Sequence, residues 1–373
     1  MKLSRRRFSS VCFVALAVTA CVSHDPSEAA YDMAPAGQNR DDAAAPSDSA
    51  LGDSRSLAPP LPGCPAGAGL SNCGPDGREN CCTSPRVDGG AFVVRADGSG
   101  AAPPPVAGKV SSFRLDRFEV TGGRFRQFVH GLVAGWSPSE GSGKHRHLAG
   151  GKGLATKNGF ESGWVSDWTT QLASTQAAWT ANLSCPYGTW TEAAGDREAL
   201  PMNCVTWYEA YAFCIWDGGF LPSIVERSFA AVGGSEQRRY PWSSPPSSDI
   251  LDCAHANYGG KNFPQTACVG AGQLGVRHGA PVGARSPLGD GRWGQADLAG
   301  NVTEWVLDKS GDPPDPCIDC AIEAPGVDAP ALSNFSYGGD FTNVNAAQLG
   351  SFGRPQTPDS RAAWIGFRCA REP

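Results

Sequence analysis

The sequence predicts an α+β domain, poor in regular structure and stabilised by disulfides. Three observations lead there. Gly (47) and Pro (30) make up about a fifth of the 373 residues, so elements are short and connections long. Fourteen cysteines are many for a reducing compartment and point to bridges made in an oxidising one. Helical periodicity is confined to three short stretches, with strand-like runs around them. The balance of 37 acidic and 31 basic residues, formally −6, argues against a nucleic-acid binder.

The chain opens with an export signal. Lys2, Arg5, Arg6 and Arg7 precede an apolar run, Val11 to Ala20, that is too short to span a bilayer. Ser4 to Phe8 resembles a twin-arginine signal. Val18-Thr19-Ala20-Cys21 reads as a bacterial lipobox, which makes 1–21 a signal peptide and Cys21 the lipidated first mature residue. The alternative is ordinary cleavage near Ala20. The expected location is the bacterial cell envelope, periplasmic or at the outer membrane or cell surface, with the lipid as the only membrane contact. Residues 22–62 are rich in Ala, Asp, Ser and Pro, cannot bury enough apolar surface to order, and read as a disordered tether.

Residues 63–84 form a small Cys-rich segment. Cys64, Cys73, Cys81 and Cys82 lack the paired CxxC spacing of a zinc site, so disulfides are expected, with three connectivities open. Residues 85–373 have the texture of one domain. Strands are expected at Ala91–Arg95 and Phe113–Asp116. Thr121 is a plausible N-cap for a helix carrying Phe125, Phe128, Val129 and Leu132 on one face. Thr206 with Glu209, and Ser223 with Glu226, are capping boxes for two more helices, the second stopping at Gly233-Gly234. Leu298–Trp305 and Gly366–Ala370 are further strand candidates. Trp164, Trp168, Trp179, Trp190, Trp207 and Trp216 are expected in the core, a carbohydrate platform being the alternative.

Other constellations are weaker. His145-Arg146-His147 has no carboxylate or cysteine at ligand spacing. Cys317-Ile318-Asp319-Cys320 lies among prolines and is expected to close a local disulfide rather than act as a redox centre. Cys185–Cys204 and Cys253–Cys268 are the remaining pairs suggested. The common hydrolase, nucleotide and zinc-protease motifs are absent.

Five segments, in order, together resemble the formylglycine-generating enzyme family, also called the sulfatase-modifying factor domain. They are Phe113 to Thr121, Pro201 to Trp207 with Ala210 to Cys214, Gly219 to Ser223, Asp297 to Trp305, and Gly338 to Phe341 with Gly366 to Ala370. The resemblance covers about residues 85–373 and implies a C-type-lectin-like α+β fold. It implies copper held by two thiolates and oxidation of a sulfatase cysteine to formylglycine. The positions that match those two cysteines carry Asn343 and Gln348, and neither carboxamide can serve as a thiolate. Asp340 stands for the family serine and Tyr337 for its arginine. The resemblance also implies a Cys214–Cys369 bridge. It implies a calcium site on Asp297, Gly300, Val302 and Glu304, and a second one that would use Asn257 and Tyr258 but lacks an evident downstream aspartate.

The expected function follows from those departures. The chain reads as an exported, monomeric lipoprotein whose sulfatase-modifying-factor-like domain is non-catalytic and binds a polypeptide or glycan, with calcium as the expected cofactor and copper not expected. The alternatives are a formylglycine-generating or other metal-dependent oxidase, and a structural envelope protein.

Overall fold

A computed structural model describes residues 70–94, 106–259, 279–309, 313–322, 334–343 and 353–373, together with Cys64, Cys268 and Leu349. The predicted lipidation site Cys21, the tether and Gln348 lie outside the described residues.

All three predicted helices form. Helix α1 is Gly122–Val133, and the Thr121 hydroxyl accepts from Arg124 N. Its face of Phe125, Phe128, Val129 and Leu132 is buried, as the spacing requires. A short helix that the sequence reading missed, α2 (Gln176–Leu183), buries only Trp179 and Leu183. Two apolar contacts are too few for a periodic signal. Helices α3 (Trp207–Trp216) and α4 (Ile224–Ala231) both start on complete capping boxes. The chain leaves α4 through Gly233 at φ 68°, where a side chain would be strained.

The strands are short. Sheet one places β4 (Phe113–Leu115) between β1 (Arg86–Val87) and β12 (Ala370–Arg371). Sheet two joins β2 (Gly90–Val94), β3 (Val106–Val110) and β8 (Cys317–Ile318). Sheet three runs β10 (Gly353–Gln356), β9 (Asn334–Tyr337), β7 (Thr303–Lys309) and β11 (Ile365–Gly366), with β11 parallel to β7. A two-stranded ribbon, β5 (Ala155–Thr156) and β6 (Gly159–Phe160), completes the set.

Two expected strands need correction. Leu298 to Val302 is a turn, because Asp297, Gly300 and Asn301 all have positive φ (55°, 90° and 59°), and the strand begins at Thr303. Gly366–Ala370 is broken: Phe367, Arg368 and Cys369 carry the chain, buried, from sheet three to sheet one.

The tryptophans are core. Trp164, Trp179, Trp190 and Trp207 are buried with Phe125, Phe128 and Phe213, and Trp168 and Trp216 pack against that cluster. Edge and stacked contacts, such as Trp168–Trp207 at 5.2 Å and Phe125–Phe213 at 5.8 Å, run through it. The Cys-rich segment is docked on the domain: Cys73 and Cys81 pack with Phe118, Val282 and Ala296, and Gly74 N donates to Val282 O. Position 85 is therefore a change of texture and not a gap in space.

Six disulfides account for every cysteine after the leader. Cys214–Cys369, Cys317–Cys320, Cys185–Cys204 and Cys253–Cys268 pair as expected. The open connectivity of the N-terminal cluster resolves to Cys64–Cys82 and Cys73–Cys81.

Candidate functional site

Strand β9 delivers the glycine pair into the loop that carries Asp340 and Asn343. Gly338 takes φ 104°, and a Cβ there would lie 3.0 Å from both Arg227 Nη2 and Leu298 O, so the loop seats tightly on the core. Tyr337, just before it, donates its hydroxyl to Ser228 Oγ at 3.1 Å.

Beyond the glycines, Asp340 and Asn343 hold each other. Asn343 Oδ1 accepts from Asp340 N at 2.9 Å, and Asn343 Nδ2 donates to Asp340 Oδ2 at 3.0 Å. Arg354 donates to the same oxygen at 3.1 Å, while Asp340 Oδ1 accepts from the Thr342 amide and hydroxyl. Both residues are buried, and burial raises the Asp340 pKa above the usual carboxylate value. The position where the resemblance implies a soft thiolate is thus a closed carboxylate–amide clasp. Both ends of the amide are engaged.

The expected calcium ligands are arranged around cations of the protein itself. Glu304 accepts from Arg227 Nε at 2.7 Å and Nη2 at 3.1 Å. It also accepts from Arg368 Nε at 2.9 Å and Nη2 at 2.7 Å. All three side chains are at most 1% exposed. Burial alone would raise the Glu304 pKa, but the two guanidiniums outweigh it and hold the carboxylate below its usual range. A dication here would face two arginines and find both carboxylate oxygens taken. Asp297 Oδ2 accepts from Gly283 N at 2.6 Å. The set Asp297, Gly300, Val302 and Glu304 therefore does not fit calcium as arranged. At the other expected position the Tyr258 carbonyl accepts from Cys268 N, and the Asn257 carbonyl from Asn301 N. Among the described residues no three His, Cys, Asp or Glu side chains converge in a way that could hold a metal ion.

The sequence reading missed what surrounds these residues. Glu119 is wholly buried and accepts from Asn301 Nδ2 at 2.6 Å and Val302 N at 3.1 Å, pinning the turn from 182 residues away. Burial, then the nearby Asp297 and Glu304 charges, push its pKa well up. Burial likewise lifts Asp297 to about 6. His145 proves to have carboxylate partners, supplied by the fold and not by spacing. Its Nδ1 meets Glu161 and its Nε2 meets Glu226, each at 3.0 Å. Glu226, the capping-box residue of α4, was the one legible signal.

Burial would lower the His145 pKa, yet Glu226 and Glu161 overcome it and raise it to about 10. A histidine pKa raised on folding adds stability that is complete below the unfolded value, about 6.5. That stability fades as pH rises towards 10. His145→Gln should therefore lower the unfolding free energy near pH 6 by about 1.5–3 kcal/mol. Its deficit relative to wild type should narrow towards pH 10. Urea midpoints at pH 6, 8 and 10 measure this, and a deficit constant with pH would rule the ion pair out.

Taken together, these features define a disulfide-stapled α+β domain built on buried arginine–carboxylate networks, with an amide clasp between Asp340 and Asn343. The chain belongs to the sulfatase-modifying factor enzyme 1-like domain family, whose model matches residues 71–373, and has that family's C-type-lectin-like fold. It is 30% identical over 313 residues to a formylglycine-generating enzyme of Thermomonospora curvata, covering 77% of this chain and 92% of that one. It is 28% identical over 304 residues to a Bos taurus protein named inactive C-alpha-formylglycine-generating enzyme 2, covering 76% and 86%. Among solved structures, PvdO from Pseudomonas aeruginosa aligns at 18% identity and a TM-score of 0.48, covering 77% of this chain and 93% of that one.

Proposed function

We propose that this chain is a non-catalytic member of its family, an exported lipoprotein that presents the domain to a polypeptide or glycan. One observation carries the reading: among the described residues no thiol is left to bind copper. All twelve cysteines beyond the leader are joined in disulfides, and Asn343 occupies a ligand position with its amide engaged at both ends. Without a thiolate pair the soft metal has no site. Relatives of similar coverage include proteins named inactive as well as proteins named for the enzyme, so the fold alone does not assign activity.

The test is reconstitution of the full chain with Cu(I) and a cysteine-containing sulfatase peptide. No aldehyde above the metal-free control is expected; turnover above that control would restore the oxidase reading. Saturable binding on a peptide and glycan array separates a binding module from a structural envelope protein.

A further inference from the structure

A different part of the surface carries chemistry that the Asp340 clasp does not use. Between β2, α4 and the segment 237–247 lies a cavity of about 450 Å³. That is within the range of small-ligand sites, roughly 300–1,000 Å³. Arg238, Arg239, Ser228 and Ser247 line it, with Val93 and Val232 as an apolar wall.

Its charge is unbalanced. Glu236 is shared between Arg238 Nε at 2.6 Å and Arg292 Nη1 at 3.2 Å. Arg239 has no carboxylate partner among the described residues. Its guanidinium lies 5.9 Å above the Tyr240 ring, which is itself stacked on Trp242 at 5.2 Å. The aromatic stack orders the cation without neutralising it. Ser228, 5% exposed with its Oγ bonded to the Tyr337 hydroxyl, is a further polar residue of the lining. Val93, 38% exposed, is an apolar surface beside it.

We propose that this cleft binds an acidic saccharide residue. Arg238 and Arg239 take its carboxylate or sulfate, Ser228 and Ser247 its hydroxyls, and Val93 and Val232 the apolar face of the ring. The two arginines recognise either anion, since both present oxygens to the guanidinium fork. The inference does not depend on whether the domain is catalytic.

Calorimetric titration of the full chain tests it with four probes: a uronic-acid oligosaccharide, a sulfated oligosaccharide, a neutral oligosaccharide and a glutamate-rich peptide of matched charge. Saturable binding of one or both acidic saccharides is expected, and which one binds names the anion. Arg239 is exposed, so Arg239→Ala should fold normally by circular dichroism. It should weaken binding roughly tenfold to a hundredfold, the worth of a charge-assisted hydrogen bond. Arg239→Glu should abolish binding, and Arg146→Ala, outside the cleft, should leave it unchanged. The proposal is overturned if no acidic saccharide binds, if the neutral sugar or the acidic peptide binds as tightly, or if Arg239→Ala binds like wild type.

Discussion

Replacing Glu304 by glutamine is expected to destabilise the domain by about 3–5 kcal/mol, the usual cost of breaking a buried ion pair from one side. Glu304 is the anion between Arg227 and Arg368, all three buried, and its loss leaves two guanidiniums uncompensated. Arg368 also donates to the carbonyls of Asp116, Arg117 and Ala296, so the disturbance reaches the crossing between sheets. Against a typical total of about 5–15 kcal/mol, such a loss leaves the domain marginal. Glu304 has a lowered pKa, so its contribution is present above the unfolded value and is lost as pH falls through the folded one. The variant should therefore lose part of the wild-type acid transition. Urea unfolding at neutral and acidic pH, read at constant slope, measures both effects. A change under about 1 kcal/mol, together with a stabilising response of wild type to calcium, would reopen Glu304 as a metal ligand; the same small change without that response would mean the network is dispensable.

The second large effect concerns Cys214 and Cys369. Their bridge spans 155 residues and ties α3 to the segment entering β12. The chain-entropy model gives about 5 kcal/mol for a loop of that length. Cys317–Cys320 spans only 3 residues, for which the same model gives about 2 kcal/mol. The double variant Cys214→Ala/Cys369→Ala should thus lose far more stability than Cys317→Ala/Cys320→Ala, in thermal or denaturant unfolding. Equal losses would show that the bridges act mainly through the folded state and not by restraining the unfolded chain. Both cysteines of the long bridge are fully buried, so gentle reduction should open Cys253–Cys268, whose Cys253 is exposed, before it.

Much of the fold was legible because its signals are local. Thr206 with Glu209 and Ser223 with Glu226 are capping boxes three residues apart, and the chain cannot hide them. The core face of α1 repeats at helical spacing. By contrast, Asp297 to Val302 reads as an apolar strand because Leu298, Ala299 and Val302 are apolar. Only the positive φ angles at Asp297, Gly300 and Asn301 reveal the turn. Helix α2 was invisible for the opposite reason: its neighbours, and not its own pattern, bury Trp179 and Leu183.

The chain by itself determined that residue 343 is an asparagine, and no packing can turn an amide into a thiolate. Composition and cysteine number likewise pointed to a loop-rich domain with disulfides. What only the tertiary structure decided is where the buried charges go. Arg227, Glu304 and Arg368 are scattered over 142 residues of sequence, as are His145, Glu161 and Glu226 over 82. Ion pairing acts over a few ångströms of space and leaves no fixed spacing along the chain. A carboxylate that looks like a metal ligand in one dimension can therefore prove to be the partner of two arginines in three.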